Sequence, residues 1–69
     1  MLKKYYISKN ARSNGDHEIH AELCMFLPQV DNRQFLGKFI SCTDAMVEAK
    51  KHYFSANACK RCSENCRTQ

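Results

Sequence analysis

Three of the five cysteines in this 69-residue chain are packed into its last eleven residues, as Cys59-x2-Cys62-x3-Cys66, while Cys24 and Cys42 lie far upstream. A domain of this size buries only about 60% of the surface its unfolded chain exposes, so a hydrophobic core alone leaves it marginal. The thiols are therefore expected to staple it, either as disulfides or as metal ligands. Disulfides alone would leave one of five thiols unpaired. With 43% hydrophobic and 26% charged residues and no internal repeat, residues 1–69 are expected to form a single folded domain.

The compartment bears on the choice between the two staples. The basic start contains the apolar run Tyr5-Tyr6-Ile7, only three residues long and too short for a signal-peptide core. No segment approaches the roughly 20 apolar residues of a membrane span, so no membrane partner is expected. Unless a leader has been removed, the chain is expected in the cytoplasm, where clustered thiols hold metal more often than they cross-link.

The Cys59-x2-Cys62 pair lets two thiolates reach one tetrahedral ion from a single turn, and Cys66 would share their face if the segment were helical. Zinc needs further ligands. His20-x3-Cys24 followed downstream by Cys59-x2-Cys62 has the form of a two-plus-two site, with Cys66 and Cys42 as alternates and His17 and His52 as weaker candidates. One condition attaches to His20 and Cys24. Were both in a continuous strand they would lie about 13 Å apart, too far to share an ion. The site therefore requires a turn or helical bend between Ala21 and Cys24. Cys42 has a plain alternative role as a small buried apolar side chain, and His17 and His20 as hydrogen-bonded structural histidines.

Local patterns predict three strands and a helix. Lys3 to Ser8 is β-prone, and Asn14-Gly15 marks a hairpin turn. His17 to Leu23 alternates, with Ile19, Ala21 and Leu23 on one face. A loop over residues 29–34 leads to a third strand, Phe35 to Ile40, in which Gly37 suggests a bulge or a close backbone contact. A helix should follow Ser41 or Thr43, with Ser41 and Asp44 resembling a capping box and Lys50, Lys51 and His52 suiting its C-terminal end. Ala45, Met46, Ala49 and Tyr53 would face the sheet, with Val47 and Phe54 at the margins. The fold expected is α+β: a small three-stranded antiparallel sheet packed by one main helix, with a Cys-rich C-terminal turn.

Charge is segregated along the chain. Residues 1–12 carry +4, residues 13–31 carry −4, and the last twenty return to +4. Basic ends folded together would form a phosphate-binding face, with Lys3, Lys4, Lys60, Arg61 and Arg67 as contacts and Tyr5 or Tyr6 stacking on bases. The bland alternative is a solvated surface. A protein partner would instead dock on the apolar run Met25-Phe26-Leu27.

Asn14 to His20 (NGDHEIH), Cys24 with Leu27-Pro28, Phe35 to Cys42 (FLGKFISC), the Ala- and Lys-containing helix and the terminal Cys-x2-Cys together resemble a family of small uncharacterised bacterial proteins. The resemblance runs from Tyr5 to Cys66 and implies a shared fold, but no activity. Ala58 stands where that pattern has glycine and Arg67 where it has histidine, so no ligand is carried over to residue 67. The spacing of Cys24, Cys59 and Cys62 is also similar to the zinc-binding phosphotriester-repair domain of Ada proteins, with His20 standing where that pattern has cysteine. This similarity implies zinc and not the repair reaction.

Two glycines cannot build a phosphate loop, and neither a serine nucleophile elbow nor an HExxH motif is present. A thiol redox protein would use Cys59 and Cys62, whose neighbours Lys60 and Arg61 favour thiolate, but the βαβ context of thioredoxin-like sites is missing. The expectation is a small non-enzymatic binding module stapled by structural zinc and associated with nucleic acid. The alternatives are a protein-binding or inhibitor protein of a mobile element with a disulfide- or thiol-containing core, and a thiol redox protein.

Overall fold

Alternation of inward and outward side chains organises the first half of the molecule, for which a computed structural model describes residues 2–59. Strand β1 (Lys3–Ser8) buries Tyr5 and Ile7 and turns Lys4 and Tyr6 the other way. The chain reverses at Gly15, whose φ of +92° suits glycine; its N–H donates to the Arg12 carbonyl at 2.8 Å. Strand β2 (His17–Ala21) then pairs antiparallel with β1 through Tyr5–Ala21, Tyr6–His20 and Ile7–Ile19.

β2 stops at Ala21, two residues earlier than the alternation suggests. The Cys24 N–H donates to the Ala21 carbonyl at 3.0 Å and the Leu27 N–H to the Cys24 carbonyl at 3.0 Å, closing successive turns. Leu23 consequently points into solvent, 92% exposed, rather than into the core. A 3-10 turn at Val30–Asn32 occupies the expected loop and delivers β3 (Arg33–Phe39), which starts two residues before the expected Phe35. β3 pairs antiparallel with β1, and the register shifts between Tyr5 and Tyr6. The expected irregularity is thus present: Gly37 opposes Tyr5 with φ +137°, and a Cβ there would sit 3.2 Å from the Phe39 ring.

Helix α1 (Cys42–His52) has Ser41 as N-cap, but the Ser41 side chain makes no cap hydrogen bond; its carbonyl accepts the Ala45 N–H at 3.4 Å. Ala45, Met46 and Ala49 are buried against the sheet and Tyr53 packs on the core, while Val47 and Phe54 are exposed rather than marginal. A fourth strand, β4 (Ala56–Ala58), follows and runs parallel to β2.

The sheet is therefore mixed and four-stranded, in the order β3-β1-β2-β4, rather than three-stranded and antiparallel. Ala56-Asn57-Ala58 carries little intrinsic β-propensity, so its strand state comes from pairing with β2 and burial under α1. α1 covers one face, where Tyr5, Ile7, Ile19, Leu36 and the helix residues form the core. Among the described residues only Ile7 and Ile19 are large side chains buried to below 2% exposure, a thin core. No helix among the described residues is long and apolar enough to cross a membrane. The expected Cys-rich terminal turn, with Cys62, Cys66, Lys60, Arg61 and Arg67, lies outside the described residues.

Candidate metal centre

Three structural elements each deliver one potential metal ligand to a point on the sheet face opposite α1. His20 sits on β2 beside Tyr6 of β1, with Ile19 buried on the helix side. The turn after Ala21 brings Cys24 back over the end of β2, satisfying the condition that a continuous strand would have violated. Cys59 is held beside β2 because its N–H donates to the Ile19 carbonyl at 2.9 Å, extending the parallel pairing by one residue.

The resulting triad has ligand atoms that all lie within 4.8 Å of one another. Cys24 Sγ is 3.6 Å from His20 Nδ1 and 3.9 Å from Cys59 Sγ. Tetrahedral zinc, with bonds of about 2.3 Å to sulfur and 2.0–2.1 Å to nitrogen, sets S···N near about 3.6 Å and S···S near about 3.8 Å. The two observed separations match two edges of that tetrahedron. His20 and Cys59 are buried and Cys24 is half-buried.

Electrostatics favour the ligating form of the histidine. Burial pushes the His20 pKa below the ordinary value of 6.5, and the Glu18 carboxylate partly opposes that shift. A neutral ring has a lone pair to give a metal. Glu18 Oε1 lies 3.8 Å from His20 Nε2, leaving Nδ1 toward Cys24, and Arg12 Nη1 donates to Glu18 Oε2 at 2.8 Å. A carboxylate orients a ligating histidine when the ring N–H donates to it; at 3.8 Å Glu18 stands in that position without closing the bond. Beside the triad opens a cleft of about 420 Å³, walled in part by His20, Cys59, Glu18, Arg12, Phe26 and Pro28.

The other expected site residues are distributed as follows. His17 lies away from the triad: its ring stacks on Tyr53 with centroids 3.9 Å apart, and its Nδ1 is 3.0 Å from the Ser8 carbonyl. His52 lies at the exposed end of α1 against Glu48. Cys42, an alternate ligand, is disulfide-bonded and packs on the core, which removes it as a thiolate donor. Tyr5, expected to stack on bases, is only 4% exposed and belongs to the core; the strand's alternation turns Tyr6 outward in its place. Lys3 and Lys4 are exposed, as are Met25 (85%) and Phe26 (51%), with Leu27 half-buried.

Glu18 and Arg12 were not among the expected site residues. The signal that finds Glu18 is its position two residues before His20, hence on the same strand face; Arg12 arrives from the hairpin loop and has no comparable signal. Comparison with protein-family models, curated proteins and solved structures gives no match to this chain.

Proposed function

We propose that the protein is a small non-enzymatic binding module whose fold is closed by one structural zinc ion, and that it associates with nucleic acid. The observation that carries the zinc proposal is the spacing of His20 Nδ1, Cys24 Sγ and Cys59 Sγ. A nitrogen and two sulfurs suit the borderline-soft zinc ion better than calcium or magnesium, which take oxygen. Cys62, three residues beyond Cys59 in sequence, is the proposed fourth ligand. A zinc here would tie β2, its following turn and the end of β4 together, which a core this thin needs.

A non-enzymatic role is supported by the burial of Cys59, at 2% exposure, since thiol exchange requires access to the attacking sulfur. Association with nucleic acid is supported by the net charge of +4 and the exposed Lys3 and Lys4. Clustered thiolates suit the reducing cytoplasm proposed for the chain, whereas the Cys42 disulfide suits an oxidising compartment. Alkylation of the purified protein under denaturing conditions reads which state predominates.

The test is native mass spectrometry of protein purified without chelator. One zinc per chain, lost with EDTA together with the folded circular-dichroism spectrum, is the expected result. A folded protein with no metal overturns the zinc proposal and shifts attention to a docking role for Met25, Phe26 and Leu27, for which Phe26→Asp is the probe.

A further inference from the structure

The sheet face turned away from α1 carries a strip of side chains that neither the core nor the metal centre employs. Pairing of β1 with β3 sets Tyr6 opposite Phe35 and Lys4 opposite Lys38 on this face. The Tyr6 and Phe35 rings lie 5.4 Å apart between centroids, tilted by 56°, and the Arg33 guanidinium sits 4.6 Å over the Tyr6 ring. Phe35 remains 51% exposed, so an aromatic surface bordered by cations is open to solvent.

The lysines supply a second, independent observation. Like charges directly opposite on neighbouring strands destabilise the pair, and among the described residues neither Lys4 nor Lys38 forms an ion pair. Protection of a sheet edge against aggregation accounts for Lys38, because β3 is an edge strand. It does not account for Lys4 on the inner strand β1. An anion seated between the two ammonium groups accounts for both.

We propose that this face binds single-stranded nucleic acid, with bases stacking on Phe35 and Tyr6 and a backbone phosphate between Lys4 and Lys38. Stacking platforms flanked by cations recognise unpaired bases without strong sequence preference, whereas a duplex keeps its base faces covered. Lysine is depleted from the cores of protein–protein interfaces, which weighs against a protein occupant. The proposal rests on the nucleic-acid association above and specifies its surface, with Tyr6 rather than Tyr5, and the form of the ligand.

The experiment is fluorescence anisotropy with the zinc-loaded full chain, a labelled oligothymidine of about a dozen nucleotides and a duplex of equal length, a size that spans the usual single-strand site. Tighter binding to the single strand is expected. Phe35→Ala should weaken it by roughly five-fold or more while Phe35→Tyr restores it. The double variant Lys4→Ala/Lys38→Ala, which removes both contacts to that one phosphate, should flatten the log–log salt dependence by about 0.7. An unchanged circular-dichroism spectrum and melting temperature show that each variant is folded. Equal affinity for the duplex, or an unaffected Phe35→Ala, overturns this platform but leaves nucleic-acid association standing. Binding to neither oligonucleotide at low salt overturns both.

Discussion

As a proposed metal ligand His20 would have to be buried, neutral and correctly turned at once, and a different neighbour bears on each demand. Burial in the sheet favours the uncharged ring, Cys24 faces Nδ1, and Glu18 stands near Nε2, itself held by Arg12. Cys24→Ser or Cys59→Ser should reduce the zinc content from one per chain to near none, as measured by elemental mass spectrometry. Glu18→Gln should leave the metal bound but weaken it by roughly 10–100-fold, as read by competition with a chromophoric chelator; wild-type affinity would show that the carboxylate gives no support. The pH dependence has a definite sign. A histidine whose folded pKa is depressed contributes stability that is complete above the ordinary value of 6.5 and is lost as pH falls through the depressed value. The urea midpoint should therefore fall on acidification from neutrality, and a midpoint independent of pH would exclude His20 as a buried ligand.

At the scale of elements, Gly37 is the position where backbone and packing combine most tightly. Its φ of +137° is rarely adopted by L side chains, and an added Cβ would press on the Phe39 ring at 3.2 Å. Gly37→Ala should cost on the order of 1–3 kcal/mol, measured by chemical denaturation; a neutral result would mean the β1–β3 register relaxes without loss. This glycine was visible in the sequence because a lone Gly within an apolar strand has few other uses. β1 was equally visible, its two tyrosines and Ile7 needing no tertiary context. β4 was not, since Ala-Asn-Ala acquires strand character only by pairing with β2. The end of β2 was misplaced for a related reason: Leu23 continues the alternation, but the turn hydrogen bonds at Ala21 and Cys24 take the backbone away from the sheet. That same turn made the His20, Cys24 and Cys59 grouping possible, so this cluster of potential metal ligands was legible as a spacing and a condition. Which tyrosine faces outward depended on which face α1 covers, a fact of packing.

For the whole molecule, stability should follow metal occupancy more closely than any single core contact. Among the described residues the core relies on two fully buried isoleucines and several alanines, and alanine side chains contribute little apolar area. The proposed metal centre would join segments far apart in sequence, with Cys24 and Cys59 separated by 35 residues. A ligand that binds only the folded chain stabilises it by about 4 kcal/mol at a thousand times its dissociation constant. In a domain of this length each kcal/mol moves the melting temperature by roughly 4–8 °C. Zinc in that excess should therefore raise the melting temperature by roughly 15–30 °C over the chelated protein, with the shift growing logarithmically with free zinc. Differential scanning calorimetry across a buffered zinc series measures it, with Cys24→Ser as the control that should show no response. A wild-type melting temperature unaffected by zinc or chelator would mean that the thin core and the Cys42 disulfide suffice. The triad would then lose its role as the fold's staple.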